Sequence, residues 1–117
     1  MIKKAVVVGG SGFIGSHVAD QLTDTGYKVI IYDRTKSQWL RPEQEMVMGD
    51  VQDGDKLNQV IAGSDVVYNF AALADLNQAL EQPIKTININ ILGNLNVMEA
   101  CHAHGVKRFI YASTVYV

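Results

Sequence analysis

A glycine-rich segment near the start of the chain has the residue types and spacing of a phosphate-binding loop. The segment Gly9–Gly15 contains four glycines and directly follows the apolar run Ala5–Val8. The residues after it have the spacing of one helix face, so a strand, a glycine turn and a helix follow one another. This order is typical of dinucleotide sites, where glycines allow a tight turn and a close approach to a pyrophosphate. Free N–H groups at the helix start would face the negative phosphates.

A carboxylate stands where such a site needs one. Asp33 ends a second strand-like run, Lys28–Tyr32, which follows a glycine, Gly26, placed where a helix should end. An acid about 20 residues beyond the glycines can accept hydrogen bonds from adenosine ribose hydroxyls. The alternative left open by the residues is a tight turn without a ligand and an aspartate on the surface.

Alternating apolar patterns predict the elements that position these groups. Strands are predicted over 3–8, 28–33, 45–48, 65–70 and 107–112, helices over 13–25, 54–62 and 83–104, and a helical turn over 75–81. Strands that alternate with helices predict an α/β fold with a parallel sheet and helices on both faces. We expect a Rossmann-type doubly wound sheet of five strands in the order 3-2-1-4-5, forming one domain over 1–117.

Composition limits the classes of partner. The chain has 117 residues, 48% hydrophobic and 19% charged, with a formal net charge of −2. The charge argues against a general electrostatic grip on nucleic acid or an anionic membrane. Cys101 is the only cysteine, which excludes an internal disulfide and favours a cytoplasmic location. No apolar stretch approaches the roughly 20 residues of a membrane span, and we predict no metal site.

The third predicted helix, 83–104, is apolar over more of its surface than one contact with a sheet needs. Pro83 suits its first turn and Gly105 its end. One face carries Ile84, Ile87, Ile91, Leu95 and Met98, and Ile89, Val97, Ala100 and Cys101 widen the apolar surface. Either the helix is sandwiched within the fold, or it packs against a second subunit and makes a homodimer.

These motifs, taken in order, resemble the extended short-chain dehydrogenase/reductase family, and more closely its NAD-dependent nucleotide-sugar epimerases and dehydratases. Gly9, Gly12 and Gly15 match the family's glycine pattern. The resemblance implies that the backbone at Phe13 and Ile14 meets the pyrophosphate of NAD. Val8 stands where the family usually has threonine, a departure that we expect the loop to tolerate.

The resemblance also implies further contacts with NAD. Asp33 would bind the adenosine ribose, and Arg34 could lie along the adenine face. The other positions matching the family's cofactor contacts are Asp50 and Val51 at adenine, Phe70, Ala71 and Ala72 beside the ribose and phosphate, and Asn90 in the central helix. Taken singly, each match could be a turn or strand-end residue. Taken together, they follow successive strands and converge on one crevice.

The closing run 107–116 resembles the family's fifth strand and its catalytic Ser/Thr. Thr114 takes that position when aligned from the strand, with Ser113 as the alternative because the following loop is shortened. The family's chemistry also needs a Tyr and, four residues later, a Lys, which act at the nicotinamide. The one Tyr-x-x-x-Lys match, Tyr32–Lys36, falls on the adenosine side, and we interpret it as accidental.

The resemblance covers nearly the whole chain but only about the first third of such an enzyme. It implies a truncated NAD-binding domain, with the tyrosine helix and a carboxyl-terminal substrate domain absent, so this chain alone should not turn over nucleotide sugars. Two alternatives stay open. One is a non-catalytic dinucleotide-sensing module. The other is an NADP-linked reductase of hydrophobic alcohols or ketones, since Arg34 could pair with a 2′-phosphate although Asp33 repels it.

Overall fold

Five parallel strands form the centre of the molecule. The computed structural model describes residues 1–73 and 75–113. Its strands are β1 (Lys4–Val8), β2 (Lys28–Asp33), β3 (Glu45–Met48), β4 (Val66–Asn69) and β5 (Arg108–Tyr111). Every pairing is parallel, and the strands lie in the order β3-β2-β1-β4-β5. The predicted α/β sheet and its strand order are confirmed, although three strands are one residue shorter at one or both ends than predicted.

The helices follow the prediction with one difference. They are α1 (Phe13–Asp24), α2 (Gly54–Ile61), α3 (Leu76–Glu81), α4 (Pro83–Ile87) and α5 (Gly93–Ala103). The predicted single helix over 83–104 is built from α4, a π-helical turn over Asn88–Leu92, and α5. Helical dihedral angles at both junctions, Asn88 and Leu92, keep these three parts continuous. Such wide turns often mark functional positions.

The three central strands β1, β2 and β4 are buried on both faces, which explains their nearly unbroken apolar sequences, whereas the edge strands β3 and β5 are partly exposed. One face packs against α2 and α5 through Val6, Val8, Ile30, Tyr32, Val67, Leu57, Ile61, Val97, Ala100 and Cys101. The other face packs against α1 through Ala5, Val7, Val29, Ile31, Ala19 and Leu22. Side chains of each strand alternate between the two layers, as the pleat requires. The sheet is therefore a rigid platform with its loops gathered at the strand ends.

Local signals mark where the helices begin and end. Gly26 and Gly105 have φ of 102° and 61° after α1 and α5, the left-handed region that favours glycine. Asp53 caps α2 by accepting a hydrogen bond from the backbone N–H of Lys56 at 3.1 Å. Pro83 occupies the first turn of α4. Among the described residues, no helix is long and apolar enough to cross a membrane.

An apolar stripe runs along the outer side of α4, the π-helical turn and α5. We use this name for five exposed residues: Ile84, Ile87, Ile91, Leu95 and Met98. The opposite side of the same helix is buried against the sheet through Ile89, Val97, Ala100 and Cys101. Of the two alternatives for this helix, sandwiching does not occur within the described chain, because the stripe is open to solvent.

We expect the thiol of Cys101 to be unreactive in the folded protein. Its side chain is 6% exposed, and burial raises the pKa of its thiol to about 11. The thiolate is the nucleophile, so we expect negligible labelling by iodoacetamide at pH 7.5 and full labelling after denaturation. Because the folded pKa lies above the unfolded one, burial of the neutral thiol stabilises the fold below pH 9, and this contribution is lost as the pH rises towards 11. Mass spectrometry measures the extent of labelling of Cys101. Rapid labelling of the folded protein at pH 7.5 would contradict the prediction.

Candidate functional site

A cavity of about 250 Å³ opens at the carboxyl ends of the central strands. Its lining residues come from five separate segments: Val8, Gly9, Gly12, Tyr32, Asp33, Arg34, Gly49, Val51, Phe70, Ala71, Ala72, Leu73 and Ile89. The strand order reverses between β1 and β4, and the cavity lies at this switch point. Open α/β sheets bind ligands in the crevice at such a point. The topology therefore gathers most of the predicted binding residues around one space.

The glycines of the 9–15 loop have different structural roles. Gly9 has φ of 79°, and a Cβ there would lie 2.5 Å from the backbone nitrogen of Ala71. A Cβ on Gly15 would lie 2.8 Å from the Cα of Gly10, so neither position tolerates a side chain. At Gly12, by contrast, a Cβ would meet only the carbonyl oxygen of Gly9, at 3.5 Å. Gly9 and Gly15 are therefore required by the fold, whereas Gly12 leaves open space beside the cavity.

Helix α1 begins at the rim of the cavity. Gly12 is its N-cap and supplies no side chain to the first turn, and its carbonyl accepts the N–H of Ser16 at 2.9 Å. The N–H groups of Phe13 and Ile14 belong to the first turn, where a helix offers no acceptor of its own. Both side chains are exposed, and the first turn carries no acidic residue. A helix start of this kind suits an anion, and the contact of Phe13 and Ile14 with a pyrophosphate stays a prediction.

The carboxylate of Asp33 is fastened to the glycine loop. Its Oδ2 accepts the backbone N–H of Ser11 at 3.1 Å, and its Oδ1 accepts that of Thr35 at 3.2 Å. The hydroxyl of Ser11 donates in turn to the carbonyl of Thr35. Asp33 therefore has a fixed orientation beside Gly12, and each oxygen keeps lone pairs for a further donor. Sequence reasoning missed Ser11, whose position between two glycines was the available signal.

The three predicted adenine contacts are Arg34, which follows β2, and Asp50 and Val51, which follow β3; Arg34 and Val51 line the cavity. Arg34 Nε is 3.6 Å from Asp50 Oδ2, and both side chains are partly exposed. Asp50 Oδ1 also accepts the backbone N–H of Gln52 at 2.9 Å. Val51 is buried and its carbonyl accepts a hydrogen bond from Asn96 Nδ2 at 2.9 Å. The turn after β3 is thus fixed from both sides.

The loop after β4, which contains Phe70, Ala71 and Ala72, is held by Asn90. The Oδ1 atom of Asn90 accepts the N–H of Leu73 at 2.7 Å, and its Nδ2 atom donates to the carbonyl of Leu73 at 3.1 Å. Asn90 therefore binds the loop that lines the cavity and does not itself line it. Its predicted direct contact with a cofactor stays a prediction.

Two further asparagines, Asn69 and Asn94, also hold the loop after β4. Asn69, at the end of β4, is buried and donates through Nδ2 to Asn94 Oδ1 at 2.8 Å. Its own Oδ1 accepts the N–H of Ala71 at 3.0 Å. The helix asparagines at 90, 94 and 96 therefore act on three different partners. The sequence shows a cluster of asparagines there but does not reveal these pairings.

Tyr32 holds the turn after β3 through its side chain, a role that sequence reasoning missed. Its hydroxyl donates to the carbonyl of Asp50 at 2.7 Å. Burial, with smaller contributions from Asp53 and Asp50, raises the pKa of this phenol to about 12, so it remains a donor at neutral pH. This hydroxyl is bonded beneath the turn after β3, and the interpretation of Tyr32–Lys36 as accidental stays a prediction.

The predicted catalytic residues follow β5. Ser113 is exposed, two residues after Tyr111, and Thr114 lies outside the described residues. The N–H of Ala112 donates to the carbonyl of Asn69 at 3.3 Å, which joins this segment to the end of β4. A second cavity of about 290 Å³ lies between these strand ends and the loop after β4. The roles of Ser113 and Thr114 stay predictions.

Comparisons with known proteins agree with this architecture. The sequence model of the NAD dependent epimerase/dehydratase family matches residues 5–117. The UDP-glucose 4-epimerase of Yersinia pestis is 34% identical over 124 residues, which cover 96% of this chain and 37% of that protein. The crystal structure of UDP-glucose 4-epimerase from Thermotoga maritima with UDP-glucose superposes with a TM-score of 0.90 at 32% identity, covering 95% of this chain and 38% of that one. The Thermus thermophilus UDP-glucose 4-epimerase in complex with NAD gives 0.87 at 30% identity, covering 95% and 37%.

These matches cover nearly all of this chain but only part of each relative. The chain spans little more than a third of the length of these relatives. The family match nevertheless includes the glycine loop, the carboxylate at the end of β2 and all the later strands, so it rests on nearly the whole described fold. The chain belongs to the NAD dependent epimerase/dehydratase family.

Proposed function

We propose that the chain is the NAD-binding portion of a nucleotide-sugar epimerase or dehydratase. The observation that carries this proposal is the carboxylate of Asp33, fixed by Ser11 and Thr35 beside the open space at Gly12. A carboxylate in this position suits ribose hydroxyls, and the adjacent helix start suits a pyrophosphate. The solved relative from Thermus thermophilus, a complex with NAD, supports the choice of ligand.

Different residues would then contact each part of NAD. The N–H groups of Phe13 and Ile14 would bind the pyrophosphate above Gly12, and Asp33 would accept hydrogen bonds from the adenosine ribose. The other proposed contacts are the guanidinium of Arg34 and residues Asp50 and Val51 at adenine, and the backbone of Phe70, Ala71 and Ala72 beside the second ribose. When bound, NAD supplies the redox chemistry at its nicotinamide ring. The residues described above bind and orient it.

We propose the domain organisation on the same grounds. Residues 1–117 would form one nucleotide-binding domain of a longer enzyme, whose other parts supply the contacts with a nucleotide sugar. Ser113 or Thr114 would hydrogen-bond the substrate at the end of β5. The Thermotoga maritima relative, solved with UDP-glucose, supports a nucleotide sugar as substrate. The cytoplasmic location expected from a single cysteine stays a prediction.

Parallel calorimetric titrations of the purified protein with NAD and NADP test the proposal. We expect binding with a clear preference for NAD, and at 100 times the dissociation constant a stabilisation of about 2.7 kcal/mol, visible as a higher melting temperature. Trp39, the only tryptophan, lines a recess beside Ser11 and Asp33, so its fluorescence offers an independent signal. Failure of the folded protein to bind either dinucleotide would contradict the proposal.

One observation favours a second candidate, the NADP-linked reductase. Lys36 lines the recess next to Asp33, where the 2′-position of the ribose would lie, and could pair with a phosphate there. The fixed carboxylate of Asp33 opposes this, since it would repel that phosphate. A preference for NADP in the same titrations would favour the reductase candidate. Binding without turnover by any longer protein that contains this chain would favour the dinucleotide-sensing module.

We also propose that a second copy of the chain covers the apolar stripe, making a homodimer through the helix over 83–104. The stripe is continuous over five exposed residues, and burying one isoleucine is worth about 1.5–3 kcal/mol. We expect Ile91→Glu to weaken dimerisation by about tenfold or more, because it places a charge at the centre of the stripe. Sedimentation velocity over a concentration series measures the change.

The matched control is Gln59→Glu, a change at an exposed position on α2 that is not part of the stripe, which should leave dimerisation unchanged. A wild-type protein that sediments as a monomer across the series would contradict the homodimer. Equal weakening by both variants would instead indicate a general effect of negative charge.

A further inference from the structure

Tyr32 joins two loops that line the cavity and that follow the strands on either side of β2. Its backbone carbonyl accepts the N–H of Gly9 at 2.8 Å, which ties β2 to the glycine loop. Its hydroxyl donates to the carbonyl of Asp50 at 2.7 Å, which ties the same strand to the turn after β3. The side chain is 1% exposed and packs in the core layer formed with α2 and α5. Its position is therefore fixed by the core and not by any ligand.

The turn after β3 is shaped around this ring. A Cβ on Gly49 would lie 2.5 Å from Tyr32 Cζ, so only glycine lets the chain pass directly over the phenol. The N–H of Gly49 donates to the carbonyl of Asp33 at 2.9 Å. The turn thus leaves β3, is hydrogen-bonded to the end of β2 and crosses the phenol, and its next residue is Asp50.

Asp50 is the residue whose carboxylate we assign to the adenine edge. Its carbonyl accepts two hydrogen bonds, from the Tyr32 hydroxyl and from the N–H of Asp53 at 3.1 Å. Removal of the hydroxyl would leave the second bond in place, so the carbonyl would keep one partner. The expected result is a looser Asp50 in a folded protein, not an unfolded chain.

We propose that Tyr32 is a positioning residue that makes the site selective for a 6-aminopurine by holding the Asp50 carboxylate toward the base. This inference rests on the proposed function, since it needs adenine at Asp50. A carboxylate accepts a hydrogen bond from the amino group of adenine but repels the carbonyl oxygen that replaces it in hypoxanthine. Selectivity between the two bases therefore reports how well Asp50 is held.

The test compares NAD with nicotinamide hypoxanthine dinucleotide, which differ only in that base. Dissociation constants for both are measured with wild-type protein, Tyr32→Phe, Asp50→Ala and the double variant. We expect Tyr32→Phe to lower the preference for NAD by about threefold or more, the effect of losing one hydrogen bond. Asp50→Ala should lower it further, and the double variant should match Asp50→Ala because Tyr32 acts through Asp50.

Tyr68→Phe is the matched control, a tyrosine on β4 that does not line the main cavity, and it should leave the preference unchanged. A Tyr32→Phe protein that loses affinity equally for both dinucleotides has a merely structural tyrosine, which overturns the inference while the proposed site stands. An Asp50→Ala protein with the wild-type preference overturns the adenine placement itself, and the inference with it.

Discussion

Replacing Gly12 by valine should abolish NAD binding in a protein that still folds. The backbone at Gly12 is extended, with φ of −78° and ψ of 177°, which any residue adopts, and a Cβ there meets only one atom at ordinary contact distance. The valine methyl groups would instead occupy the space in which the pyrophosphate must approach the helix start. Calorimetric titration should show no heat of NAD binding, and thermal melting should remain close to that of the wild type.

Gly15→Ala gives the contrasting control. Its Cβ would lie 2.8 Å from Gly10 Cα, so we expect a lower melting temperature and a secondary loss of binding. The two glycines are three residues apart, yet one change should affect the ligand and the other the fold. A Gly12→Val protein that binds NAD with wild-type affinity would show that the pyrophosphate lies elsewhere.

Asp33→Ala should weaken NAD binding by about 1.5–3 kcal/mol, or roughly tenfold to a hundredfold in the dissociation constant. The carboxylate is the proposed acceptor for the ribose hydroxyls, and hydrogen bonds to a charged group are worth this much. The same change should narrow the preference for NAD over NADP, because the charge that repels a 2′-phosphate is gone. Titration of the variant with both dinucleotides measures the two effects together.

The structure adds a control to this prediction. Asp33 also accepts the N–H groups of Ser11 and Thr35, so its removal loosens the glycine loop. Asp33→Asn keeps an amide oxygen as an acceptor but removes the charge, and it separates the loop contact from the charge effect. We expect Asp33→Asn to reduce the preference for NAD over NADP, and to lower the stability of the protein less than Asp33→Ala does. Unchanged NAD affinity in Asp33→Ala would show that the ribose does not lie at this carboxylate.

The fold could be predicted from the sequence because its signals are local. Runs such as Ala5–Val8 and Val29–Tyr32 are apolar on both faces, which is typical of the central strands of a parallel sheet. Gly26 and Gly105 mark helix ends through a backbone conformation that the sequence reveals directly. Parallel strands in this order then bring the glycine loop and Asp33 to the same edge, without any knowledge of side-chain contacts.

The inner construction of the site could not be predicted because it depends on contacts between distant residues. The sequence predicts a different role for each of Gly9, Gly12 and Gly15, but only the structure shows what a side chain at each would meet, and that Gly12 alone of the three has room for one. Nor does the sequence show that Asn90 binds the backbone of Leu73, or that Tyr32 reaches Asp50. The π-helical turn over Asn88–Leu92 could not be predicted either, because Ile87, Ile91 and Leu95 keep the four-residue spacing of an ordinary helix across it.

The cavity has a consequence for the order of events during folding. Its walls come from the loops that follow β1, β2, β3 and β4, so no contiguous stretch of the chain contains it. Parallel pairings join residues distant in the chain and form slowly, since loop-closure entropy must be overcome first. A dinucleotide therefore has nothing to recognise until four strands are in register. Its capture marks the pairing of these four strands, and the slowest of their pairings also limits how soon a newly made chain can bind it.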